Sequence, residues 1–157
     1  MKPVTVGVIG VGSLGKHHAR LYQECRDASL VGVYDTDAQR AQGVADELGT
    51  TSFPDREALL ERVEAVSVAV PTDRHYDVVQ ELLRKGKHVL VEKPITERVA
   101  EAEELVELAS CSGLMLGVGH VERYNPVLEC INKVRGIPRF IEGHRLAGYP
   151  PAREGLP

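Results

Sequence analysis

Val4-Thr5-Val6-Gly7-Val8-Ile9-Gly10-Val11-Gly12-Ser13-Leu14-Gly15 decides the fold. From Val4 to Ile9 the residues are nearly all β-branched, and the run stops at Gly10, the mark of a strand covered on both faces of a parallel sheet. Three glycines follow in the spacing G-x-G-x-x-G, and Leu14, His18, Leu21, Tyr22 and Cys25 then recur as one helical stripe. The glycine spacing alone is a weak signal. Here a strand runs into it, a helix opens inside it, and Asp35 stands at the end of the next strand, twenty residues beyond Gly15. Gly10 permits the tight turn, Gly12 clears the way for a pyrophosphate, and Gly15 lets the helix pack on the strand. Ser13 and Leu14 complete the loop, whose unpaired N–H groups and positive helix end suit a diphosphate. The alternative is a glycine turn that holds no ligand.

Working outward, the same alternation repeats. Leu30 to Tyr34 reads as a second strand, and Asp37 caps a helix lined by Ala41, Val44, Ala45 and Leu48 that Gly49 stops. Thr51 to Phe53 and Arg56 to Arg62 are a weaker strand and helix. Ala65 to Val70 is a fourth strand, capped onward by Thr72 or Asp73 into a helix whose stripe is His75, Val78, Val79, Leu82 and Leu83, with Gly86 as its stop. His88 to Val91 is a fifth strand. A glutamate-rich helix from Thr96 turns Val99, Ala102, Leu105, Val106 and Ala109 inward, and Leu114 to Val118 is a sixth strand. Strands alternating with helices imply right-handed crossovers, so the fold class is α/β, a Rossmann-type doubly wound parallel sheet over residues 1–120. After it the rhythm changes: residues 121–157 read as a linker helix from Pro126 to near Gly136, a strand from Arg139 to Leu146, and a proline-rich tail. They form only the start of a second α/β domain. The isolated strand would be an unpaired edge that frays, folds back or pairs with another copy.

Composition narrows the partners. The 157 residues are 43% hydrophobic with 19 basic and 23 acidic side chains, a formal net charge of -4. Such a chain buries about two thirds of its unfolded surface without staples, and its acidic balance argues against nucleic acid or an anionic membrane as partner. No stretch approaches 18 apolar residues, and Met1-Lys2-Pro3 runs directly into the first strand, so a cytoplasmic protein is the default expectation. Cys25, Cys111 and Cys130 form no C-x-x-C pair and are read as reduced thiols.

Asp35 would accept both hydroxyls of the adenosine ribose and repel a 2'-phosphate, which favours NAD over NADP even though Arg40 is one turn away. Glu92-Lys93-Pro94 follows the fifth strand, at the carboxyl edge where doubly wound sheets bind ligands. A lysine held there beside an oxidised nicotinamide would have its ammonium destabilised, and could exchange a proton with an alcohol as hydride moves. Alone, an exposed Lys-Pro is more simply a turn.

Gly10 to Gly15, Asp35, Val70-Pro71-Thr72-Asp73-Arg74-His75, Glu92-Lys93-Pro94 and Arg123-Tyr124-Asn125-Pro126 together strongly resemble the amino-terminal half of the Gfo/Idh/MocA family. The resemblance implies that Gly10, Gly12, Gly15 and Asp35 hold the dinucleotide, that Pro71, Thr72 and His75 pass along it, and that Glu92 approaches the nicotinamide ribose. It implies Lys93 as the catalytic residue on the substrate hydroxyl, with Arg123 and Asn125 near the nicotinamide. Family members act on sugars, sugar nucleotides or cyclic polyols, and commonly oligomerise through the second domain's sheet. The wording Gly119-His120-Val121-Glu122-Arg123-Tyr124-Asn125-Pro126 resembles members that oxidise the 3-hydroxyl of UDP-N-acetylglucosamine. Full members run past 300 residues and carry a D-x-x-x-H type motif that this sequence lacks. The chain is therefore expected to bind dinucleotide without most of the substrate pocket, and a binding module without turnover is the alternative to an enzyme.

None of the histidines is read as a metal ligand. His17 and His18 are neighbours on one helix that point in different directions, poor geometry for a shared metal, and are assigned to solvent or helix-face packing. His75 is divided equally between a cofactor-side contact and the inner stripe of its helix. His88 is structural, and His120 lies beside the expected nicotinamide cleft. No histidine-carboxylate spacing points to a metal.

Overall fold

The computed structural model describes residues 2–128, 130, 137, 139, 140 and 142–144. Within residues 2–120, six parallel strands and five helices alternate: β1 (Val4–Ile9), α1 (Gly15–Glu24), β2 (Ala28–Tyr34), α2 (Ala38–Leu48), β3 (Thr51–Ser52), α3 (Arg56–Leu60), β4 (Ala65–Val68), α4 (His75–Arg84), β5 (His88–Val91), α5 (Val99–Cys111) and β6 (Leu116–Val118). The strand order is β3-β2-β1-β4-β5-β6. It reverses between β1 and β4, and that switch point is where an open α/β sheet forms its ligand crevice.

The sheet separates two apolar layers. Val8, Val11, Ala19, Val33, Ala41, Val44 and Ala45 pack one face under α1 and α2. Leu59, Leu60, Val66, Val79, Leu82, Leu83 and Leu105 are among those filling the other. The stripe expected on α4 is buried in full, His75 included. Those on α1 and α5 are corrected. Gly15 and Ala19 are the buried residues of α1, while Leu14 and Leu21 are about half exposed. Small side chains win that face because they let the helix axis come close to the sheet, which the leucines would prevent. On α5, Leu105 and Ala109 face the core, and Val99 and Val106 are exposed.

Element ends differ from the sequence expectation for local reasons. The strand expected to reach Val70 stops at Val68, and the Val70 carbonyl lies 3.0 Å from His75 Nε2 instead of pairing in the sheet. β6 begins at Leu116 because Leu114 N–H closes the end of α5 on Ala109 and Met115 N–H donates to His88 Nδ1. α5 begins at Val99 rather than Thr96, whose buried hydroxyl donates to the Arg98 carbonyl. Asp37 does cap α2, accepting from Arg40 N–H at 3.1 Å, and Gly49 ends that helix at φ 61°.

The chain divides into two compact units, Met1–His120 and Val121–Pro157. In the second, a 3-10 turn spans Val121–Tyr124, and Asn125 donates from Nδ2 to Glu122 and accepts the Val127 N–H on Oδ1. Residues 127, 128 and 130 are helical, and the rest of the helix expected to reach Gly136 lies outside the described residues, as does the tail from Tyr149. Of the strand expected over Arg139 to Leu146, residues 139, 140 and 142–144 are described and are not extended pairs; the others lie outside. No helix of the described residues is long and apolar enough to cross a membrane.

Candidate functional site

The glycine turn sits at the carboxyl end of β1. Gly10 adopts φ 83°, a conformation side chains rarely take, and donates its N–H to the Tyr34 carbonyl at 2.8 Å. A Cβ on Gly15 would lie 1.7 Å from the Gly10 carbonyl oxygen, so helix and strand meet with no room for even a methyl. Gly12 is the opposite case, with no atom within 4 Å of the place its Cβ would occupy. Gly12 lies two residues before Leu14, the N-cap of α1, which like those of α4 and α5 makes no side-chain capping bond, whereas α2 and α3 are capped by Asp37 and Asp55. Free N–H groups beside a cleared space are what a diphosphate requires.

Asp35, at the end of β2, is buried and turned to that loop. Its Oδ2 accepts the Val11 N–H at 2.8 Å, and its Oδ1 accepts the Asp37 N–H at 2.9 Å and Arg40 Nη1 at 3.1 Å. Burial pushes the Asp35 carboxyl up, but the Asp37 and Val11 N–H groups and the Arg40 guanidinium together outweigh it and hold the group below the ordinary carboxylate range. A carboxyl depressed on folding stabilises the chain above the ordinary carboxylate range, and that stability is lost as pH falls through the lowered value. Asp35→Asn should therefore be less stable than the parent at pH 7, with the gap in urea midpoint closing as acid protonates the parent carboxyl.

Across the switch point, Pro71 is exposed and Thr72 half-buried in a 3-10 turn, Thr72–Arg74, that leads into α4. His75 is 1% exposed, and its two ring nitrogens lie 2.8 Å from the Pro94 carbonyl and 3.0 Å from the Val70 carbonyl. Of the two alternatives, the structure puts it in the inner stripe. Any effect it has on a ligand runs through the two loops it ties together. Lys93 follows β5 with its side chain exposed, and its peptide to Pro94 is cis.

Glu92 is 7% exposed, with two hydrogen bonds on its carboxylate and a glycine beside it. Its Oε1 accepts from His18 Nε2 at 3.0 Å, its Oε2 accepts the Lys93 N–H at 3.1 Å, and a Cβ on Gly119 would come within 2.8 Å of Oε1. The other nitrogen of His18 lies 2.8 Å from Ser67 Oγ, a fully buried hydroxyl of β4. Of the two readings the sequence gives for His18, solvent or helix-face packing, the fold takes the second and turns it onto the sheet, to partners the sequence does not name. The overlooked signal is Ser67 itself, a lone hydroxyl in the apolar run Ala65 to Val70, which must find a partner when the strand is buried. Arg123 and Asn125 belong to the second unit.

A sequence model of the oxidoreductase family with an NAD-binding Rossmann fold, Gfo/Idh/MocA, matches residues 4–120. UDP-N-acetylglucosamine 3-dehydrogenase of Acidithiobacillus ferrooxidans is 41% identical over 146 residues, 92% of this chain and 46% of that protein. A solved structure of that dehydrogenase superposes with a TM-score of 0.80 at 40% identity, covering 85% of this chain and 43% of the other. GenD2 from gentamicin A biosynthesis, solved in complex with NAD, gives a TM-score of 0.73 at 27% identity over 76% of this chain and 35% of its own. The chain thus spans about half the length of curated relatives that it matches.

Proposed function

Because the chain belongs to the Gfo/Idh/MocA oxidoreductase family, with its NAD-binding Rossmann fold, we propose that it binds NAD for the oxidation of a secondary alcohol on a sugar or sugar nucleotide. The observation that carries this reading is the 2.8 Å bond from Val11 N–H to Asp35, which joins the diphosphate turn and the ribose acid into one preformed unit. Gly10, Gly12, Ser13, Leu14 and Gly15 receive the diphosphate, and Asp35 takes the adenosine ribose. Arg40 is already neutralised by Asp35 and Asp37, each at 3.1 Å. A 2'-phosphate would have to displace Asp35 from it, which supports NAD over NADP.

NAD supplies a hydride acceptor when bound. The residues of this chain bind and orient it: Pro71 and Thr72 border its path, Glu92 meets the nicotinamide ribose, and Lys93, exposed beside Glu92, handles the proton of the substrate hydroxyl. The relative of known substrate in Acidithiobacillus ferrooxidans makes the 3-hydroxyl of UDP-N-acetylglucosamine the first substrate to try.

NADH fluorescence tests the reading directly, since the sequence contains no Trp. The chain should bind NADH more tightly than NADPH, and Asp35→Ala should weaken NADH by about tenfold or more, the loss of hydrogen bonds to a charged group. Equal affinity in Asp35→Ala refutes the ribose assignment. Turnover of UDP-N-acetylglucosamine or another sugar with NAD should disappear in Lys93→Ala. Because the chain covers 46% of that relative, a second reading, an NAD-binding module without turnover, stands beside the first, and NADH binding with no turnover of any sugar selects it.

A further inference from the structure

We infer that His18, one turn into α1, is the positioning residue that fixes the Glu92 carboxylate for the nicotinamide half of the cofactor, through a hydrogen-bonded line that begins at Ser67. The inference rests on the proposed placement of Glu92 at the nicotinamide ribose.

An ionised Glu92 only accepts, so the 3.0 Å contact requires His18 Nε2 to carry a proton and donate. The ring's Nδ1 is then free to accept, and the Ser67 hydroxyl, 2.8 Å away, donates to it. Ser67 Oγ in turn accepts the Tyr22 hydroxyl, at a longer 3.4 Å. In this Nε2–H tautomer every donor in the line Tyr22, Ser67, His18, Glu92 meets an acceptor. The line is anchored in the protein rather than in water: Ser67 is fully buried, and the side chains of His18 and Glu92 are 16% and 10% exposed.

The consequence is orientation. With the Lys93 N–H alone on Oε2, the carboxylate could rotate about its last torsion, whose preference is broad. His18 on Oε1 removes that freedom, Gly119, where a Cβ would come within 2.8 Å of Oε1, leaves the room that the bonded carboxylate occupies, and each oxygen keeps a lone pair for a ribose hydroxyl. The same helix presents its first turn to the diphosphate, and His18 lies three residues beyond Gly15. One rigid element therefore sets the spacing between the diphosphate site and the nicotinamide-side acid, which lowers the ordering cost of binding.

The two halves of the cofactor make the test. ADP carries the diphosphate and the adenosine but no nicotinamide ribose. His18→Leu should bind NADH about tenfold more weakly than the parent, with ADP, measured by competition, within about twofold. Adding His18→Leu to Glu92→Gln should weaken NADH no further than Glu92→Gln does alone. If His18→Leu lowers Tm by more than about 10 °C, His18→Asn, too short to reach Glu92, is measured in its place. Equal weakening of NADH and ADP would mean that His18 only supports α1, and overturns the inference, as does an unchanged NADH affinity. If Glu92→Gln shifts the NADH to ADP ratio and His18→Leu does not, the inference fails while the cofactor reading survives. If Glu92→Gln leaves that ratio alone, the placement of Glu92 fails and takes the inference with it. In the unsubstituted chain, two-bond 15N–1H spectra should show the Nε2-protonated tautomer of His18; the Nδ1-protonated form would overturn the line.

Discussion

Gly15→Ala should cost the chain about 3 kcal/mol of stability and abolish NADH binding, although it adds one methyl group. The methyl would sit 1.7 Å from the Gly10 carbonyl oxygen, 2.8 Å from that carbonyl carbon, and 3.3 Å from the Ala69 Cβ. Two of those atoms are backbone, so no rotamer change relieves the overlap. Gly10 cannot retreat, because its N–H is bonded to Tyr34 and its positive φ closes the turn. α1 must lift at its first residue, opening the layer that Val11 and Ala19 share with the sheet. The same movement displaces the N–H groups offered to the diphosphate. For a domain of this size the loss corresponds to a fall in Tm of about 10 °C. A thermal scan with a parallel NADH titration checks both halves. A Tm within about 2 °C of the parent would show that the turn is less tightly fixed than its geometry requires.

The sheet is legible in the sequence because each strand of the alternation is bounded by a punctuating residue. Gly10, Gly49 and Gly86 adopt positive φ as turn residues, and Asp37 is a true cap. The stripe on α4 is legible for a different reason: Val78, Val79, Leu82 and Leu83 are large, apolar and at helical spacing, so hydrophobicity and burial coincide. On α1 they diverge. Leu14 and Leu21 are more hydrophobic than Gly15 and Ala19, yet close approach to the sheet selects the smaller pair, and periodicity weighted by hydrophobicity points to the wrong face. His18 and Tyr22, also on the stripe that periodicity marks, do lie against the sheet, and His18, beside the buried Ala19, reaches Ser67 of β4 and Glu92 after β5.

The candidate site divides in the same way. Residues whose work is done by their own backbone or by an absent side chain, Gly10, Gly12 and Gly15, can be read from spacing alone. Asp35 can be read from its position at the tip of a strand. The surroundings of Glu92 cannot, because His18 that bonds it, Ser67 behind His18 and Gly119 that leaves it room come from α1, β4 and the end of β6, 74, 25 and 27 residues away along the chain. Only the sheet order, which sets β4 between β1 and β5, brings Ser67 within reach of both α1 and β5.

Gly12→Val isolates the other half of the glycine turn. Nothing lies within 4 Å of where its Cβ would stand, and Gly12 is not among the glycines of positive φ, so the fold should accept the larger side chain with Tm within about 2 °C of the parent. Yet that open volume borders the uncapped start of α1, the place where the proposed diphosphate must meet backbone N–H groups directly. An isopropyl group there holds the phosphates away from those donors, and NADH affinity should fall at least about a hundredfold. ADP should fall with it, since the lost contacts belong to the half of the cofactor that both ligands share. Gly12→Val thereby differs from Gly15→Ala, which loses stability and binding together, and from His18→Leu, which is expected to spare ADP. A folded Gly12→Val chain that still bound NADH like the parent would move the diphosphate off this turn, and would remove the basis for assigning Asp35 to its ribose.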